Sequence, residues 1–210
     1  MVSMNINALS AFYKFSGFSN ILSSILIFIS WFSIGIFMWK EISSNDVSAM
    51  VQNPAWIPVN VFLLAATMLL IPGIVALYIK QAEKSGTMGL VAVWITILAI
   101  IWYTCIQFYE TFFWPIIAAD SPLLFRSVGF SPSNNIIFIQ LMLSAIPWFA
   151  GFLLLAIVTI QTNFIAKGTV WIFTIGALLF GVGIMLPMRS IGVILFSYGL
   201  IRYGSILRKS

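Results

Sequence analysis

Histidine is missing from all 210 residues, cysteine occurs once, and there are only five acidic side chains. Each shortage removes a class of chemistry. Without histidine, the commonest ligand of haem, zinc, copper and di-iron centres is gone, and with it the commonest general base. The lone Cys105 sits inside an apolar run, so it forms no intramolecular disulfide, CxxC redox pair or thiolate cluster. No HExxH, G-x-S-x-G or P-loop pattern occurs, and no lysine falls at mid-span for a Schiff base. No cofactor is expected, and the chain reads as non-enzymatic.

Charge is scarce altogether, at 7% of residues against the roughly 25% that clothe a soluble domain. Apolar residues make up 61%, and only lipid solvates such a surface. The net charge of +5 comes from scattered lysines and arginines with no dense basic run, which argues against a nucleic-acid partner. The first apolar run lacks a small-residue cleavage site and reads as a retained helix.

Apolar runs of about 20 residues each cross a bilayer core. Six are expected, at 18–39, 57–79, 88–110, 135–160, 169–187 and 190–206, in a single all-α membrane domain covering 1–210. Asn53-Pro54 offers an N-cap followed by proline for the second span, and Pro72-Gly73 and Pro147 are expected to kink the second and fourth. A short charged loop is expected at 80–87, a tight turn at Pro187-Met188-Arg189, and a rather short final helix. The stretch 111–135 mixes aromatics, Pro115 and Asp120 in a way that suits the membrane interface, with Ser121-Pro122 as a helix start. A faint likeness links spans two and three to spans four and five.

Lys14, Lys80, Lys84, Lys167, Arg202, Arg208 and Lys209 fall on one side of this layout, and Lys40, Arg126 and Arg189 on the other. The richer side is cytoplasmic by the positive-inside rule, which puts both termini inside at the cell membrane. Loops 1 and 3 then form an extracytoplasmic cap bearing Glu41, Asp46, Glu110 and Asp120.

The third span carries the one polar stripe at helical spacing: Thr96, Tyr103, Gln107, Glu110 and Trp114, separated by seven, four, three and four residues. Glu110 is the leading ionisable candidate. It lies about 33 Å along the helix from Met88, at the outer interface. There it reads either as an acid paired with Arg126 or Arg189, or as a ligand or proton site. Arg189 reads as a headgroup anchor or an anion ligand. Trp31, Trp102 and Trp148 read as core or as the wall of an apolar cavity. Gly176, Ala177, Gly181 and Gly183 give the fifth span a small-residue face for an internal neighbour.

Size, helix count and orientation resemble those of the substrate-capture subunits of energy-coupling vitamin transporters, without an aligned motif. Three functional expectations follow. The first is a protein that binds a small or lipid-like ligand, or a partner, at an outer mouth lined by Glu110, Gln107, Tyr103, Trp114, Arg126 and Arg189, with membrane lipid around it. The second is a transporter or transporter subunit built around Pro72 and Pro147. The third, an enzyme acting on lipid through Glu110 and Asp120, demands retuned carboxylates.

Overall fold

A backbone surrounded by apolar side chains must satisfy its own amides, and helices do so locally. The computed structural model describes residues 6–44, 46–121, 136–182 and 186–209, and among them every regular element is helical. These are α1 (Ile6–Phe37), α2 (Trp39–Ser43), α3 (Val47–Gln52), α4 (Trp56–Asp120), α5 (Ile136–Thr162), α6 (Lys167–Val182) and α7 (Leu186–Arg208). Four of them, α1, α4, α5 and α7, are long and apolar enough to cross a membrane, and α6 is a shorter apolar helix.

Helix α4 spans 65 residues but is not one rod. Its backbone leaves helical angles at Gly86, with φ 52° and ψ −145°. Side chains on either side of that residue then meet across the gap. Trp56 Nε1 donates to the Glu110 carbonyl at 3.2 Å, Gln107 Nε2 to Asn60 Oδ1 at 2.9 Å, and Thr104 Oγ1 to Thr67 Oγ1 at 3.1 Å. Each pair straddles Gly86 almost symmetrically, so the arms before and after it run antiparallel.

Several sequence expectations need correction here. The loop at 80–87 is absent, because helix continues to Ser85 and Gly86 alone carries the reversal. Pro72 lies inside the first arm with helical angles, and the departure from those angles within α4 falls at Gly86. The final helix has 23 residues and is not short, because Pro187, Met188 and Arg189 belong to its first turn. Proline is tolerated there, where its missing N–H would have no helical acceptor. Asn53 does not cap α4, whose N-cap is Ala55. Instead its Oδ1 accepts from the Ala55 amide at 2.9 Å, and its Nδ2 donates to the Phe37 carbonyl and to Glu41. The stretch after Glu110 continues as helix to Asp120, and the Ser121-Pro122 start lies at the edge of the described residues.

Packing follows the small and polar residues. Helix α1 lies between α4 and α7: Ser23 Oγ donates to the Ala66 carbonyl at 2.8 Å, and Ser24 and Ser197 each donate to the other's carbonyl, at 2.9 and 3.3 Å. Gly176 of α6 sits directly on the Phe196 backbone of α7, and Gly192 of α7 on the Phe180 backbone, so neither position has room for a Cβ. The core between these helices is an aromatic column of Trp148, Phe152, Phe173, Phe180, Phe196 and Tyr203. At the end of the bundle where α2 and α3 lie, a smaller cluster packs Met38, Val51, Trp56, Trp114 and Ala118 together. Gln52 ties α3 to the end of α4 by donating to the Ala118 carbonyl at 3.1 Å.

Candidate ligand-binding site

The first turn of α7 delivers Arg189 to the end of the aromatic column nearest the α2–α3 cap. Its guanidinium carbon lies 4.8 Å from the Trp31 ring centroid and 5.3 Å from that of Phe180. One terminal nitrogen donates to Tyr103 Oη at 3.0 Å, while Nε is buried with no partner. Faces of aromatic rings attract a cation, and more strongly where water is excluded.

Each wall of this cage is fixed from behind. Trp31 Nε1 donates to Ser190 Oγ at 2.9 Å. The Tyr103 ring packs 4.7 Å from Trp148 and 5.9 Å from Phe180. Trp148, fully buried, donates its indole N–H to the Ala177 carbonyl at 2.8 Å, and Gly181 leaves space for that indole. The arginine therefore has a set position.

Glu110 stands two turns along α4 from Tyr103, on the same face. Its side chain is half-buried and within electrostatic reach of Arg189. Among the described residues no carboxylate comes within 4.0 Å of the Arg189 nitrogens. A guanidinium carries five N–H donors, and among the described residues only Tyr103 accepts from it.

The other residues expected at an outer mouth go elsewhere. Gln107, 3% exposed, turns to Asn60, which is 2% exposed and itself donates to the Trp56 carbonyl at 2.8 Å. Trp114 stacks on Trp56 in the cap cluster, with centroids 6.4 Å apart and planes 10° apart. Arg126 lies outside the described residues. Tyr103 and Arg189 are thus brought into contact with Glu110 nearby, whereas Gln107 and Trp114 join the packing of the two α4 arms.

The three deep tryptophans separate as well. Trp31 faces the arginine, Trp148 is core, and Trp102 is 50% exposed on the outside of the bundle. Phe180, Ser190 and Asn60 carried no sequence expectation. A signal existed for Asn60, a lone amide inside an apolar run one helical turn after Trp56. None marked Phe180 among so many phenylalanines.

Comparison of the chain with protein-family models, with curated proteins and with solved structures finds no match. A fixed, mostly desolvated cation with spare donors is suited to receive an oxyanion.

Proposed function

We propose that this chain is a protein of the cell membrane that crosses the bilayer six times and keeps both termini in the cytoplasm. It binds a small or lipid-like ligand at its extracytoplasmic mouth and does not catalyse a reaction. The observation that carries this reading is Arg189, held among Trp31, Phe180 and Tyr103 with donors left over. A cation taken from water without a counter-charge is costly, and an anionic ligand group offsets that cost.

The six crossings are α1, the two arms of α4, α5, α6 and α7. Each arm exceeds the roughly 20 residues that a bilayer core requires. The excess of Lys and Arg at the Gly86 end supports a cytoplasmic placement for that end. Exposed Phe28, Trp94, Leu98, Ile146 and Ile194 clothe the outside in side chains that suit acyl tails.

The test is to purify the full chain in mild detergent, extract it, and identify co-purifying small molecules by mass spectrometry. Wild type is expected to retain a lipid-like species that Arg189→Gln loses, while Glu83→Gln keeps it. Equal retention by all three proteins overturns the reading.

One observation favours transport as a second reading. Asn20 of α1 is buried in the notch at Gly73, its Oδ1 has no partner, and the adjacent Pro72 deprives the Met68 carbonyl of its helical donor. A free amide oxygen deep in a bundle, beside a helix that a proline interrupts, suits a solute path. Proteoliposomes that move no solute, from a protein that pulls down no energising partner, would remove this reading.

A further inference from the structure

Arg189 and Glu110 carry opposite charges in a region walled by aromatic rings, where attraction between them is much stronger than in water. They nevertheless form no ion pair among the described residues, although each feels the other's field. The geometry says why they stay apart. Arg189 is tied to Tyr103 and lodged between the rings of Trp31 and Phe180. Glu110 is displaced from Tyr103 by seven residues of helix, roughly 10 Å of rise. Its carboxylate accepts no hydrogen bond from the described residues, and its backbone carbonyl is fixed by Trp56.

A site with two opposite charges that are not paired with each other discriminates by charge pattern. A simple anion would meet Arg189 but be repelled by Glu110, and a simple cation the reverse. A zwitterion satisfies both. Among zwitterions, one whose anion is a phosphate brings more acceptor oxygens to the spare guanidinium donors than the two of a carboxylate. A phosphate joined through an ethylene bridge to a primary ammonium carries both groups. Phosphate oxygens match the spare guanidinium donors, and an ammonium N–H matches a carboxylate.

We propose, building on the outer-mouth reading above, that the ligand's polar head is phosphoethanolamine, with its phosphate on Arg189 and its ammonium on Glu110. The same head occurs on a membrane lipid and as a soluble ester, and the test separates the two sources.

The full chain in detergent is titrated with phosphatidylethanolamine, with phosphatidylglycerol and with soluble O-phosphoethanolamine, and bound species are counted by native mass spectrometry. Wild type should bind phosphatidylethanolamine about tenfold more tightly than phosphatidylglycerol, the ratio that one retained charge-assisted contact supplies. In Glu110→Gln that ratio should fall to about one, through weaker phosphatidylethanolamine binding together with stronger phosphatidylglycerol binding. Arg189→Gln should lose both lipids about tenfold. Soluble O-phosphoethanolamine displacing the lipid at equal concentration assigns the head alone as ligand, and displacement only in large excess assigns the lipid.

If Arg189→Gln loses both lipids while Glu110→Gln keeps the preference, the outer-mouth reading stands and the zwitterion inference falls. If neither lipid binds with preference and Arg189→Gln matches wild type, both fall. Should Glu110→Gln unfold, Glu110→Asp and the wild-type ratio still decide: a wild-type ratio of one rejects the inference, and a ratio of about ten kept in Glu110→Asp supports it.

Discussion

Replacing Gly86 with alanine tests whether one residue reverses α4. The angles φ 52° and ψ −145° lie in a region that residues with a Cβ enter only at a cost of about 1–3 kcal/mol. No atom lies within 4 Å of where the new methyl would sit, so packing contributes nothing and the cost is that of the backbone alone. Alanine also stiffens the unfolded chain, which returns about 0.4–1 kcal/mol. The expected net loss is about 1–2 kcal/mol. Gly35 provides the internal control, because its Cβ site is equally open but it lies inside α1, where alanine for glycine gains about 0.5–1 kcal/mol. The two variants should therefore differ by about 2–3 kcal/mol, or roughly thirtyfold or more in the unfolding equilibrium. Reversible unfolding in mixed micelles with increasing dodecyl sulfate, followed by circular dichroism, measures that difference. Matching midpoints for Gly86→Ala and Gly35→Ala would refute the claim that a left-handed glycine makes the hairpin.

Other expectations rest on single contacts. Gln107→Leu or Asn60→Leu alone strands the opposite buried amide and should cost about 1–3 kcal/mol; the double variant should cost less than the sum, and a full double-mutant cycle in the same micelle assay that shows strict additivity would dismiss the bond. Trp148→Phe removes the donor to the Ala177 carbonyl while keeping a ring in the aromatic column, so a loss of about 0.5–1.5 kcal/mol is expected, read as a lowered midpoint. For topology, the Cys105→Ser background carrying Ser44→Cys should react with an impermeant maleimide added outside intact cells, and the one carrying Lys84→Cys only after lysis. The reverse pattern would invert the proposed orientation.

Much of the fold is visible in the order of the residues, because a chain with 7% charge and runs of about 20 apolar residues has few ways to satisfy its backbone. The polar stripe from Thr96 to Trp114 was legible for the same reason, as periodicity places those side chains on one face. What each one meets is a tertiary matter. Tyr103 and Gln107 are one turn apart, yet one turns to Arg189 and the other to Asn60, because the facing helix changes along the stripe. A reversal between Lys80 and Thr87 was legible from the charges of Lys80, Glu83 and Lys84, but its confinement to Gly86 was not, because those charges are equally compatible with helix. Arg189 was legible as a candidate but read as sitting in a turn. Helix in fact begins before it, which aims its side chain back along the bundle at Trp31.

The mutual hydrogen bonds of Ser24 and Ser197 join positions 173 residues apart, and Tyr13 clusters with Leu207 at the far end of the same seam. Helix α1 thus docks on α7, which the chain reaches only after all the other helices described. Until α7 is synthesised and inserted, the serine-lined face of α1 has only α4 to cover it, so half of that face waits in lipid with its hydroxyls bonding locally. Closure of this seam has to await α7, and it has a long-range contact to form. A chain stopped anywhere before α7 would leave that polar face open, a ready mark for membrane quality control. Because the end of α7 lies beside Tyr13 and Gly17 of α1, a linker that runs from Arg208 back along the first turns of α1 to Ile6, with new ends cut elsewhere, should preserve the seam while changing when it forms.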